Sequence, residues 1–115
     1  MTRGDIYWAE LSPRSGSEQA GRRPVIVVSH DGFNQARSWR SVIVVPMSTS
    51  KTQARRGVTA VEIPGDASGL ARTGIAVCHQ VTTLDRSKLT RFAGRLSREL
   101  LSSVEEGLRA ALDLE

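Results

Sequence analysis

Residues 24–29, Pro-Val-Ile-Val-Val-Ser (PVIVVS), are the stretch on which the fold turns. The run is continuously apolar and β-branched, without the alternation of a strand that has one wet face. It reads as a strand buried on both sides. A second such run, Val42–Met47 (VIVVPM), follows, and the gap between them leaves room for one or two helical turns within Asp31–Ser38. Pro46 supplies no N–H, so it predicts a bend or an edge position at that point. Working outward, Asp5–Leu11 (DIYWAEL), Val58–Ile63, Ile75–Val81 (IAVCHQV) and Arg91–Leu96 read as further strands. Ser12–Arg23, Ser48–Gly57 and Gly65–Gly69 are connections, and Asp85–Leu89 is a short turn or 3₁₀ segment.

Near residue 97 the period changes. Leu100, Leu101, Val104, Leu108, Ala111 and Leu112 recur at helical spacing. Ser97 is placed to cap this helix, and Glu99 in its first turn suits the positive helix end. Gly107 inside the helix costs about 1 kcal/mol relative to alanine, so it either permits a close approach or is merely tolerated. The expected architecture is a single domain over residues 1–115. It is mostly β with helices (α+β), a small β-barrel closed by a C-terminal helix.

With 115 residues the chain can form one modest core. A lone cysteine, Cys78, cannot form an internal disulfide. No apolar run approaches the ~20 residues that span a bilayer, and the N-terminus lacks a signal-peptide pattern. A soluble, cytoplasmic protein is expected. Of the 16 basic residues, 14 are arginine, and the net charge of +4 lies within residues 1–64. Arginine makes two-pronged hydrogen bonds to phosphate, so the asymmetry points to an anionic partner or to ordinary surface charge written as arginine.

The candidate chemistry narrows quickly. His30, His79 and Cys78 show no metal-ligand spacing, and as neighbours in a strand Cys78 and His79 would face opposite ways. No metal or cofactor is expected. There is neither a nucleophile elbow nor a phosphate-binding glycine loop of the G-x-x-x-x-G-K-[ST] kind. What remains is Arg-rich loop chemistry. Glu18, Gln19, Arg22 and Arg23 precede one buried strand, and Ser48, Thr49, Ser50 and Lys51 follow the other. If the two strands are antiparallel neighbours, these groups meet. The stretch GSEQAGRRP (residues 16–24) is then either a solvated loop or one wall of a pocket suited to a charged, five-coordinate phosphorus.

Taken in order, RGDIYWAELSP, GSEQAGRRPVIVVS, VIVVPMSTS and IAVCHQVTTLDRSKLTRFAGRLS resemble the MazF/PemK family of toxin endoribonucleases, over about residues 3–115. The resemblance implies an SH3-like small barrel that forms a homodimer. It implies metal-independent cleavage of single-stranded RNA by 2′-hydroxyl attack, and an antitoxin protein that blocks the RNA groove. It makes Arg23 the catalytic arginine, Ser48 the hydroxyl where the family usually has threonine, and Glu18 a further catalytic residue. Gln80 matches a recurrent glutamine placed in a strand. Arg22 stands where a histidine occurs in some members, so no loop histidine serves as a base. RNA contacts are expected from Gln19, Arg22, Thr49, Ser50, Lys51, Arg55, Arg56 and Gln80. Trp8 is expected in the core, whereas Trp39 is left open. Two other readings compete. Gyrase-binding toxins of the CcdB type share the barrel but act through a C-terminal aromatic tip, where this sequence reads LRAALDLE. A catalytically inactive SH3-like binding module is the third.

Overall fold

The computed structural model describes residues 1–11, 21–49 and 57–115. The two apolar runs pair with each other. Strand β2 (Arg22–Val27) and strand β3 (Ser41–Ser48) are antiparallel, in the register Val25↔Pro46, Ile26↔Val45, Val27↔Val44. Strand β1 (Asp5–Glu10) lies on the other side of β2. The remaining strands are β4 (Ala60–Ile63), β5 (Gly74–Val77), β6 (Thr82–Asp85) and β7 (Leu89–Arg95). The spatial order is β4-β5-β3-β2-β1-β7, with β6 also on β3. The sheet keeps two open ends, β4 and β7, and curls into a barrel-like shape. Helices α1 (Asp31–Asn34), α2 (Gly65–Ser68) and α3 (Arg98–Leu112) complete the described elements.

Burial on both faces follows from the strand period of two. Val25, Val27, Val42 and Val44 join Ala9, Leu11 and Leu84 in one apolar cluster. Ile26, Val45 and Met47 turn to the other face and join Ile6, Ile63, Ala76, Cys78, Leu96 and Val104, so the second cluster includes α3. Val25, Ile26, Val27, Val42, Val44 and Val45 are all fully buried, and each contributes roughly 1.5–3 kcal/mol. The interior is therefore two thin layers held by one central pair of strands.

Pro46 does not sit at a sheet edge. On its far side from β2, β3 pairs with β6 over Ser41–Val44 and with β5 over Met47–Ser48. Pro46 falls at the change of partner, where a missing N–H interrupts the ladder least. The strand read as Ile75–Val81 ends at Val77 and continues as a 3₁₀ turn, Cys78–Gln80. The strand read from Val58 begins only at Ala60, because Gly57–Thr59 is also a 3₁₀ turn.

Helix α3 starts as its sequence predicts, with the Ser97 Oγ accepting from the Leu100 N–H at 3.2 Å. Gly107 permits a close approach. A Cβ there would meet the Cys78 Sγ at 2.6 Å and the Val61 Cγ2 at 3.1 Å. The short α1 region is fixed by one side chain: Arg86 donates to the carbonyls of Phe33, Asn34, Ala36 and Trp39. Trp39 stacks on Phe33 at a centroid distance of 4.6 Å, and both stay half exposed.

Two outcomes follow for the α3 contact. Gly107→Ala gains about 1 kcal/mol of helix propensity but overpacks the interface at a cost of about 1–3 kcal/mol. Denaturant titration should show a net loss, and adding Cys78→Ala should recover part of it; a stabilised single variant would contradict the packing. Burial also pushes the Cys78 thiol up to about 11, so in native protein an alkylating reagent should label it only as fast as the chain opens.

Candidate active site

The β2–β3 register decides what stands at the mouth of the sheet. Extended by two residues beyond Val25↔Pro46, it sets Arg23 beside Ser48. The two residues also share the face of Val25, because strand positions two apart point the same way. Ser48 is only 6% exposed, and its Cα is paired on the other side with Ile75 of β5. Arg23 is half-buried and its Cα partner on β1 is Ala9.

The neighbouring Arg22 takes the opposite face. Its Cα partner is Glu10, and two positions along the strands Pro24 partners Trp8. The Arg22 guanidinium lies over the Trp8 ring, 5.3 Å from its centroid, a distance at which the ring's negative face attracts a cation. Trp8 is half-buried and belongs to neither apolar cluster. The expected core role is therefore corrected: this indole floors a surface site. The signal was available in the strand alternation, which puts Trp8 in line with Arg22 once β1 and β2 are known to pair.

These residues line one pocket of about 290 Å³. Trp8, Arg22, Arg23 and Pro24 contribute from β1 and β2, and Met47, Ser48 and Thr49 from the end of β3. Leu70, Ala71, Arg72 and Gly74 contribute from the segment leading into β5. Because its residues come from both faces of β2 and β3, the pocket wraps around the strand ends. Its described lining carries three guanidiniums and two hydroxyls but no carboxylate or imidazole.

Of the residues expected from the sequence, the structure brings Arg22, Arg23, Ser48 and Thr49 together. Glu18, Gln19, Ser50, Lys51, Arg55 and Arg56 lie outside the described residues. Gln80 is not in a strand: it closes the 3₁₀ turn at 78–80 and does not line the pocket. In the same turn Cys78 is buried and His79 is exposed, with its Nδ1 3.1 Å from the Thr59 Oγ1. Among the described residues no three His, Cys, Asp or Glu side chains are grouped to hold a metal ion. Sequence reading missed Arg72, which sits in a connection with no recognisable pattern.

A small antiparallel sheet, backed by one long helix and ending in a guanidinium–hydroxyl pocket, defines a protein suited to an anionic ester. Comparison with known proteins gives the family. Residues 2–112 match the PemK-like, MazF-like toxin of type II toxin-antitoxin system, and the chain belongs to that family. It is 34% identical over 114 residues to the endoribonuclease MazF6 of Mycobacterium tuberculosis, covering 99% of this chain and 98% of that protein. It is 36% identical over 114 residues to the endoribonuclease EndoA of Bacillus subtilis, covering 99% and 96%. Among solved structures, the Mycobacterium tuberculosis toxin MazF-mt6 superposes with a TM-score of 0.78 at 22% identity, over 96% of this chain and 98% of that one. MazF from Deinococcus radiodurans gives 0.78 at 23% identity, over 96% and 94%. At these identities the superpositions establish the fold.

The stacked Arg22 makes a direct prediction. In a Trp39→Phe background Trp8 is the only indole, and Arg22→Ala should uncover its face. Acrylamide quenching of Trp8 should then rise; unchanged quenching would mean that Arg22 does not cover the ring in solution.

Proposed function

We propose that this chain is the toxin of a type II toxin–antitoxin pair and an endoribonuclease that cleaves single-stranded RNA without a metal ion. The observation that carries the reading is the register that sets Arg23 beside Ser48 in one pocket. Relatives about one-third identical over almost the whole chain, named as endoribonucleases, support it.

In this reading the 2′-oxygen attacks the adjacent phosphorus and the P–O5′ bond breaks. The products are a 2′,3′-cyclic phosphate and a 5′-hydroxyl. Negative charge grows on the non-bridging oxygens, and donors already in place for that charge lower the barrier. Arg23 presents five donors in a fixed fork, and in this reading it stabilises the phosphorane. Ser48 supplies a second donor from its hydroxyl. Serine lacks the methyl that restrains threonine, but its near-complete burial limits the rotamers open to it. The described lining offers no group to take the 2′-hydroxyl proton, and Glu18 is the residue proposed for it. Gln19, Arg22, Thr49, Ser50, Lys51, Arg55, Arg56 and Gln80 are the proposed RNA contacts, of which Arg22 and Thr49 line the pocket. The proposed partners are a second copy of the chain, forming a homodimer, and an antitoxin protein that covers the pocket.

The test is cleavage of a mixed RNA pool in EDTA, with mapping of the end groups. Cyclic-phosphate and 5′-hydroxyl ends are expected. Arg23→Ala should lower the rate about 10²–10³-fold, the usual effect of removing one transition-state donor, and Ser48→Thr should retain activity. No cleavage of any RNA by the wild-type chain would overturn the proposal, and near wild-type cleavage by Arg23→Ala would remove that residue from catalysis.

A further inference from the structure

We propose that Arg72 is a substrate-binding residue that holds an RNA phosphate next to the scissile one, on the far side of β3 from Arg23; this rests on the endoribonuclease reading above. Arg72 lines the same pocket as Arg23 and Ser48. In the strand order, β3 lies between β5 and β2. The segment entering β5 therefore approaches the Ser48 end of β3 from one side and Arg22–Arg23 from the other. The guanidiniums flank the hydroxyl, as a chain with a charge at every nucleotide requires.

The backbone under Arg72 is built to stay where it is. A Cβ on Gly65 would meet the Arg72 carbonyl carbon at 2.8 Å and the Leu70 carbonyl oxygen at 3.0 Å. One on Gly69, which has φ +75°, would meet the Ala93 carbonyl oxygen at 2.2 Å. One on Gly94 would meet the Ser68 carbonyl oxygen at 2.3 Å. Gly69 and Gly94 thus let α2 and the residue after it lie directly on the β7 backbone, and Gly65 lets the turn fold back onto Leu70 and Arg72. The turn is closed by hydrogen bonds. The fully buried Ser68 donates its hydroxyl to the Gly65 carbonyl at 3.0 Å, and the Leu70 N–H donates to the same carbonyl at 3.0 Å.

The side chain itself makes no polar contact with the described residues. Among the described residues Arg72 has no hydrogen bond or ion pair, whereas Arg3, Arg40, Arg86, Arg95 and Arg109 are all engaged. A closely packed backbone that presents a guanidinium without a described partner at a pocket rim is suited to a phosphate, which arginine meets with two parallel donors.

The experiment is steady-state cleavage of a single-stranded RNA by wild type, Arg72→Ala and Arg72→Lys across a salt series. Arg72→Ala should raise KM about tenfold and lower kcat by less than threefold, the pattern of lost ground-state binding. The slope of log(kcat/KM) against log[salt] should flatten by about 0.7, the value for one phosphate contact on a single strand. Arg72→Lys should keep the wild-type slope and recover most of KM. Thermal unfolding of each variant checks that the exposed substitution leaves the fold intact. Wild-type KM and slope in Arg72→Ala would overturn the assignment, as would a loss confined to kcat. If wild type cleaves RNA and Arg72→Ala matches it, only this inference fails. If wild type cleaves no RNA, the endoribonuclease reading fails and takes this inference with it.

Discussion

The antiparallel pairing of β2 with β3 is the constraint from which the rest of the structure follows. Its register is set by burial, because both strands are apolar on both faces. A slip of one residue would exchange every side chain between the two clusters. The pair then acts as a rigid plate. One face carries α3, and the other is closed by the curl of β1 and β6. The polar residues at the ends of the plate inherit its precision. Arg23 and Ser48 inherit their places from a register that hydrophobic contacts several residues away hold.

Among the described residues, the arginines with named contacts and those that line the pocket do two different kinds of work. One part holds the fold. Arg86 gathers four backbone carbonyls around α1. Arg95 pairs with the buried Asp5, at 2.7 Å from Nε to Oδ1. Arg3 pairs with Glu105 and donates to the Val28 carbonyl, which ties the N-terminus to α3. The other part faces the pocket, where the described lining has no carboxylate to neutralise it. The charge asymmetry along the sequence was thus a poor guide by itself. Arg72 lies in the half whose charges balance, yet it lines the site.

Legibility in the sequence follows the range of the interaction responsible. The buried strands, the Ser97 cap and the meeting of Arg23 with Ser48 could be read, because local pattern or a single pairing assumption determines each. The extent of the strand beyond Val77 could not. Its apolar letters continue into Cys78, but from there the chain runs as a 3₁₀ turn whose Cys78 side chain packs against α3 at Gly107, a tertiary contact. The missing N–H of Pro46 suggests an edge, whereas its actual place, at the change of partner from β6 to β5, is a tertiary event. An indole in a strand is usually packed in the core, and only the arrival of Arg22 beside Trp8 shows otherwise. The wall that carries Arg72 was invisible for a plainer reason. It depends on backbone lying against backbone at Gly69 and Gly94, 25 positions apart, and glycine leaves no pattern that names its partner.

The double pairing of β3 also bears on how chains of this kind can change length. Around Met47–Ser48 the strand has β5 on one side and the extension of β2 on the other, so an added residue has no free edge on which to bulge outward. An insertion between Val44 and Ser48 would turn Met47 out of its cluster and carry the hydroxyl to the wrong face. Lineages sharing this architecture should therefore keep the spacing from buried valine to hydroxyl constant. Those few residues serve as a ruler, and drift in composition is tolerated there more readily than drift in count.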